Sequence, residues 1–183
     1  GDWTKPQITG WKNVLLENAI TPIQQYSYTS GKNSSDSAMI IDAMDLLYSE
    51  KVNGFCIVSS DSDFTRLAIR LRESGMKVIG IGEKKTPNPF IIACDKFIFL
   101  EILSAQEEEE TPGEVKGGNF KPVRKSLQSV DRETINLISS TINDLADEDG
   151  WAFLGDVGSL INKKKPEFDP RNYGFTKLTP MLK

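Results

Sequence analysis

Carboxylates at the ends of short apolar runs are the residues of this sequence best suited to chemistry. Asp61 and Asp63 follow directly after the apolar run Phe55–Ser60. Asp36 lies in the first turn of a predicted helix that follows the predicted strand Ile23–Tyr28. In open α/β sheets, sites form where the carboxyl ends of the strands meet the following helices. We therefore expect these three aspartates to converge at one edge of a sheet.

Grouped carboxylates repel one another unless a cation neutralises them. Mg²⁺ and Mn²⁺ suit oxygen ligands and retain several waters, one of which can attack a phosphodiester. Asp36, Asp61 and Asp63 therefore predict a catalytic site for Mg²⁺ or Mn²⁺. Asp is also favoured at helix N-termini, so a capping role for the Asp61–Asp63 pair stays open.

The sequence contains no histidine, and this excludes whole classes of catalytic site. Ser-His-Asp and Cys-His catalysis, HExxH zinc sites and histidine-based ribonuclease chemistry all require it. The two cysteines, Cys56 and Cys94, lie in apolar runs, and we expect both to be buried reduced thiols. Hydrolytic chemistry in this chain must therefore depend on carboxylates.

No apolar run approaches the roughly 20 residues of a transmembrane helix. The chain opens with Gly1-Asp2-Trp3 rather than with a signal peptide. We therefore expect a cytoplasmic protein with no membrane association. Because the chain also lacks an initiator methionine, we expect it to be a fragment.

The elements that would position the aspartates alternate along the N-terminal part. The predicted strands are Ile23–Tyr28, Gly54–Ser60, Lys77–Ile81 and Phe97–Leu100. The predicted helices between them are Ser35–Tyr48, Phe64–Ser74 and Pro89–Cys94. Continuous β-branched runs separated by helices favour a parallel α/β sheet with right-handed crossovers, in which Gly54–Ser60 is expected to be a buried strand.

Helical periodicity separates the acidic residues of the first helix. Asp36 shares an apolar line with Ile40, Ala43 and Leu47, so we expect it to face the sheet. Asp42 and Asp45 are rotated away and are expected to be solvated or structural. Asp95 precedes the last strand, at the opposite edge of the sheet, and is interpreted as a turn or cap residue.

A change in composition divides the chain into residues 1–103 and 123–183. Residues 104–122 are acidic, then Gly-rich, without a hydrophobic period, which is typical of a flexible linker. Beyond it we expect a small helical module whose first helix starts at Asp131 and stops at Gly150. Its core is expected to include Trp151, Phe153 and Phe175. Because the linker should uncouple the two domains, we expect no direct contact between them.

Basic and hydroxyl side chains accompany the predicted site and could contact an RNA phosphate backbone. Those near the active edge are Lys32, Ser34, Thr65, Lys84 and Lys85. Those in the C-terminal module are Lys163, Lys164, Lys165 and Arg171. Two other interpretations stay open: exposed loop lysines without a ligand, and cations favoured at a helix C-terminus by the macrodipole.

Three motifs resemble the NYN (LabA-like) branch of the PIN-like nuclease superfamily, over residues 1–103. They are Gly31–Asp36 with the helix that follows, Val58–Phe64, and Ala93–Glu101. The resemblance implies a PIN-like (Rossmannoid) fold, with the three aspartates as metal ligands and single-stranded RNA as the substrate. It also implies a preceding strand with a further catalytic aspartate, so we expect the domain to be N-terminally truncated here.

The C-terminal part resembles the LOTUS (OST-HTH) module in two segments, Trp151–Leu160 and Pro166–Phe175. This resemblance implies a winged-helix-like fold that binds RNA or a protein partner. It also implies a wing after Lys183, so we expect the module at 123–183 to be partial.

Three function classes stay open from the sequence. A metal-dependent endoribonuclease leads, and a catalytically inactive RNA-binding or adaptor protein of the same fold comes second. The run Asp61-Ser62-Asp63-Phe64-Thr65 also fits the DxDxT motif of haloacid dehalogenase phosphatases, in which the first aspartate is the nucleophile. Gly80-Ile81-Gly82 is an isolated GxG and only weak evidence of nucleotide binding.

Overall fold

The computed structural model describes residues 1–15, 17–26, 33–103 and 128–182. The chain comprises two compact units, Gly1–Asn53 and Gly54–Lys183. Lys32 and the predicted linker at 104–122 lie outside the described residues.

The first unit contains a 3-10 helix, Pro6–Asn13, and the helix α1, Ser34–Tyr48. The predicted strand Ile23–Tyr28 is wrong over 23–26, and its last two residues lie outside the described ranges. Its backbone forms hydrogen bonds to Gly1 rather than to a strand. The Gly1 amine donates to the Ile23 carbonyl at 3.0 Å, and the Gln25 N–H donates to the Gly1 carbonyl at 3.0 Å. The Ile23 and Tyr26 side chains are exposed, so this short segment buries no apolar face that would favour a ladder.

Helix α1 begins and ends within one residue of its predicted bounds. Leu47 is buried, and Asp36, Ile40 and Ala43 are half-buried. Asp42 is exposed, as is Asp45. The predicted division of this helix into a sheltered line and a solvated face is therefore confirmed.

The second unit is built on a parallel three-stranded sheet in the order β1-β2-β3. The strands are Gly54–Val58, Lys77–Gly82 and Lys96–Phe99. The crossovers are a 3-10 turn, Ser62–Phe64, with the helix α2, Thr65–Glu73, and then the helix α3, Asn88–Ala93. Gly75 ends the α2 crossover at a φ of +81°, where a residue without a Cβ is favoured. The α/β prediction is confirmed.

The sheet buries most of one face and leaves part of the other open. Leu71, Val78, Phe90 and Phe97 are fully buried between the sheet and its helices. The prediction that Gly54–Ser60 is a buried strand is therefore only partly right, because Ile57 is 5% exposed whereas Val58 is 63% exposed. Period-two alternation puts Cys56 on the same open face, so it is exposed, not buried as expected.

Cys94 is buried as expected, and its environment keeps it inert. Burial raises the pKa of the Cys94 thiol to about 12, so it stays protonated at neutral pH. Its Sγ lies 3.4 Å from the carbonyl oxygen of Phe90. This thiol has a packing role and offers no nucleophile.

Packing requires a glycine at position 80. The first glycine of Gly80-Ile81-Gly82 therefore has a structural explanation that involves no nucleotide. A Cβ at position 80 would lie 2.5 Å from the Phe97 ring and 2.8 Å from the Cys94 Sγ.

Gly80→Ala is therefore expected to destabilise the fold by about 1–3 kcal/mol through overpacking, measured as a lower urea midpoint. Gly10→Ala is the matched control, because no atom would lie within 4 Å of its Cβ. Equal midpoints for the two variants would contradict this packing role.

The C-terminal module is helical. It consists of α4, Arg132–Leu145, then α5, Leu154–Lys164, a 3-10 turn, Pro170–Tyr173, and α6, Leu178–Met181. The predicted start at Asp131 is confirmed, since its Oδ1 accepts the Thr134 N–H at 2.8 Å. The helix ends at Leu145 rather than at Gly150, which instead closes the following turn with a φ of +83°.

The core of this module differs from the one expected. Its buried members are Ile138, Val157, Ile161 and Phe168. The prediction that Trp151 and Phe153 complete the core is wrong, because they are 77% and 75% exposed. Ala152, between them, packs against the core instead. Phe175 is half-buried and lies outside the cluster.

The two parts of the second unit touch, contrary to expectation. The Phe97 N–H of β3 donates to the Pro166 carbonyl of the C-terminal module at 2.9 Å. β3 lies at one end of the described sheet, where backbone N–H groups lack a strand partner and Pro166 can supply an acceptor. A cleft of about 590 Å³ lies beside this contact, lined on one side by Ile92 and on the other by Glu133 and Lys165.

Candidate metal and RNA site

The loop after β1 (Gly54–Val58) presents Asp61 and Asp63 at the carboxyl end of the sheet, with both side chains exposed. The Asp61 N–H donates to the Ser59 Oγ at 3.0 Å, and the Asp61 Oδ1 accepts the Asp63 N–H at 2.9 Å. Asp61 is thus the N-cap of the 3-10 turn Ser62–Phe64. The capping role that the sequence left open is present, and this bond engages one of the two Asp61 carboxylate oxygens.

Hydrogen bonds join the loops at this edge of the sheet. The Ser60 Oγ accepts the Glu83 N–H at 2.9 Å, and the Glu101 Oε1 accepts the Lys84 N–H at 3.0 Å. The segments that follow β1 and β2 are thereby fixed side by side. Asp61, Asp63 and Thr65 follow β1 at this edge, and Lys84 and Lys85 follow β2.

Glu101 is a residue of this edge that sequence reasoning did not single out. Its Oε2 is buried and has no hydrogen-bond partner in the part of the chain that the structure describes. The sequence signal for it was its position just past the closing strand, at the edge where the carboxyl ends meet. Its Oε1 holds the Lys84 backbone, which makes it a residue that positions the loop after β2.

The other predicted contacts of this edge have different environments. The Thr65 Oγ donates to the Ser62 carbonyl at 2.6 Å, so it stabilises the Asp61 turn. Lys85 is exposed and forms an ion pair with Glu83, and the hydrogen bond and charge of Glu83 raise the pKa of Lys85. Lys84 is half-buried. Ser34 begins α1 in the first unit.

The donor set suits a hard cation but is not assembled within one loop. Asp61 and Asp63 offer exposed carboxylate oxygens, the ligand type that Mg²⁺ and Mn²⁺ prefer. Among the described residues, no group of three His, Cys, Asp or Glu side chains is arranged to hold a metal ion. Asp36 belongs to the first unit, half-buried in the first turn of α1.

Asp95 lies at the other edge of the sheet and is structural, as expected. Its Oδ2 accepts the Val78 N–H at 2.8 Å, and its Oδ1 pairs with the Arg72 Nε at 3.0 Å. Arg72 also donates to the carbonyls of Ile92 and Ala93 at the end of α3. This network joins α2, α3 and the start of β2.

Three of the four predicted cations of the C-terminal module are already paired. The Lys164 Nζ bonds the Asp144 Oδ2 at 2.6 Å, and the Lys165 Nζ lies 3.7 Å from the Glu133 Oε1. Lys163 is exposed, and no ion pair involves it within the described ranges. Sequence spacing could not show these pairings, because the acidic partners lie 20 or more positions away.

Arg171 is held against a buried carboxylate. Its Nε donates to the Asp169 Oδ1 at 2.9 Å, and its terminal nitrogen donates to the Oδ2 at 2.6 Å. Burial alone would raise the pKa of Asp169, but the hydrogen bonds and charge of Arg171 outweigh it, so the pKa is lowered. The guanidinium therefore fixes the turn at Pro170–Tyr173.

Comparison with known families agrees with both resemblances. The family described as NYN domain matches residues 1–101, and the family described as OST-HTH/LOTUS domain matches residues 125–183. Searches of curated proteins and of solved structures return no match. Within the described ranges, no helix has the length and apolar character needed to cross a membrane.

Proposed function

Because the chain belongs to the NYN domain family, whose fold is PIN-like, we propose that it is a metal-dependent ribonuclease acting on single-stranded RNA. The observation that carries the proposal is the exposed Asp61–Asp63 pair at the carboxyl end of β1 (Gly54–Val58). The side chains of Ser59 and Asp61 each accept a backbone N–H of this loop and so hold its conformation. Asp36, from α1, completes the proposed set of ligands for Mg²⁺ or Mn²⁺.

The bound cation would polarise a phosphodiester and lower the pKa of a water that attacks the phosphorus. The chain's own residues orient this chemistry. The Ser59 Oγ accepts the Asp61 backbone N–H, and the Asp63 N–H donates to the Asp61 carboxylate, so little reorganisation is needed when a ligand binds. Lys84, whose backbone Glu101 holds, supplies positive charge for a neighbouring phosphate.

Manganese-dependent cleavage of a single-stranded RNA by the full-length protein tests this proposal. Product should form with Mn²⁺ and vanish with a chelator, because no histidine is present to support metal-free cleavage. RNA binding without cleavage would favour an inactive binding protein, in which the Asp61 cap is purely structural. Release of phosphate from a phosphomonoester, with a covalent aspartyl-phosphate, would favour the phosphatase alternative.

We further propose that the OST-HTH/LOTUS module contributes to RNA binding through the end of α5 (Leu154–Lys164), where Lys163 lies. Lys163→Ala is expected to weaken RNA binding and flatten the salt dependence of log Kobs by about one unit, as loss of a phosphate contact requires. Lys164→Ala is the matched comparison, because its ammonium is already bonded to Asp144. A salt titration of RNA binding measures both. An unchanged slope for Lys163→Ala would remove this contact.

A further inference from the structure

The loop before α5 carries an exposed aromatic surface, formed by Trp151 and Phe153. These side chains are 77% and 75% exposed, although each is large and apolar. Ala152 packs inward against the module core, so the chain alternates and directs its two neighbours away from the core. Neighbouring exposed aromatic side chains with a polar rim are typical of interaction sites.

Local contacts hold the aromatic surface in place. The Phe153 ring lies over Gly155, where a Cβ would come within 2.8 Å of the ring. The Asp147 Oδ1 accepts the Trp151 N–H at 2.8 Å, and the Asp147 N–H donates to the Trp151 carbonyl at 2.8 Å. Gly150 closes this turn with a φ of +83°. A backbone fixed in this way lowers the entropy lost when a partner binds.

The charge around the aromatic surface selects its partner. Residues 145–162 contain four Asp or Glu and no Lys or Arg. Glu148, Asp149 and Asp156 are exposed beside the aromatic surface. Such an environment repels phosphates and attracts cations, and the faces of Trp and Phe attract cations as well.

We propose that the aromatic surface binds a cationic segment of a protein partner. Arginine or lysine side chains stack on Trp151 and Phe153 and pair with Glu148, Asp149 and Asp156. Lys163 lies nine residues along α5 from Leu154, about 14 Å at the helical rise, so RNA and the partner would use different ends of this helix. The binding does not depend on the metal chemistry proposed for the first domain.

Fluorescence anisotropy of a labelled peptide of Arg-Gly-Gly repeats, titrated with the full chain, tests the proposal. Saturable binding is expected, weakened at least about tenfold by Trp151→Ala or Phe153→Ala, as expected for central aromatic contacts. The double variant Glu148→Lys/Asp149→Lys should weaken it similarly. Gly155→Ala should also weaken it, since the Phe153 ring must move. Ile135→Ala, an exposed apolar change on α4, is the control and should have no effect.

Three results would overturn the proposal. One is no peptide binding even at low salt, and another is binding that Trp151→Ala leaves unchanged. The third is a single-stranded RNA that loses affinity with Trp151→Ala and gains affinity with Glu148→Lys/Asp149→Lys, since the surface would then bind bases. Circular dichroism of each variant checks that the module remains folded, and truncation of an exposed side chain should leave it so.

Discussion

Asp61→Asn and Asp63→Asn are each expected to reduce manganese-dependent RNA cleavage by about 100-fold or more. A bound metal contributes several kcal/mol to the transition state, and about 3 kcal/mol corresponds to a factor of about 100. Asparagine removes the anionic ligand but keeps an oxygen at position 61 that can still accept the Asp63 N–H. Cleavage should therefore fall without loss of the turn. Single-turnover rates at saturating protein measure the effect.

Two variants on α1 (Ser34–Tyr48) distinguish the loss of a metal ligand from a general effect of changing this helix. Asp36→Asn should reduce cleavage to a comparable extent, whereas Asp42→Asn, an exposed change on the same helix, should leave the rate near that of the parent protein. Metal titration should show a weaker apparent affinity in the Asp36, Asp61 and Asp63 variants. Cleavage that persists in Asp61→Asn or Asp63→Asn would show that these residues are not the ligands.

Loss of the buried Asp169 carboxylate is expected to be the most destabilising charge-neutralising change in the C-terminal module. Asp169 is only 5% exposed, and Asp169→Ala would leave Arg171 without its bidentate partner. Breaking a buried ion pair costs about 3–5 kcal/mol. Asp144→Ala is the control, because the Asp144–Lys164 pair is more exposed and such pairs contribute about 1 kcal/mol or less. Urea unfolding followed by circular dichroism measures both.

The same carboxylate predicts how stability depends on pH. The pKa of Asp169 is lowered in the folded protein, so its contribution is present above the unfolded pKa of about 3.9 and lost as pH falls through the folded value. Asp169→Asn should therefore flatten the acid side of the stability profile. Part of the slope should remain, because the N-cap bond to Thr134 lowers the pKa of Asp131 in the same direction. An unchanged profile would mean that the Asp169–Arg171 pair contributes nothing to acid sensitivity.

Local signals predicted most of the elements around the candidate site. The apolar run at Gly54–Val58, Asp61 as the cap after it, and Gly75 at the end of the next helix were all visible in the sequence. Each depends on neighbours within a few positions, so the sequence encodes it directly. The strand predicted at Ile23–Tyr28 was wrong over residues 23–26 for the opposite reason, since a short segment becomes a strand only when a second strand pairs with it.

The pairing of charges was decided by tertiary structure. Lys164 and Lys165 looked like a free basic cluster beside Arg171, but their partners Asp144 and Glu133 come from another helix. A charge pattern along one helix cannot show what the facing helix supplies. Of the four basic residues predicted to contact RNA in this module, Lys163 therefore remains the candidate.

By itself the sequence determined the parallel α/β order and the helical module. Because the chain contains no histidine, it also directed the proposed chemistry to carboxylates. Those features follow from residue type and short-range spacing. Tertiary structure alone decided that Trp151 and Phe153 face solvent, that Glu101 holds the Lys84 backbone, and that Pro166 accepts the Phe97 N–H. These features depend on contacts between residues that are distant in the sequence. The apolar or polar character of a side chain does not by itself specify which residue it contacts in the folded protein.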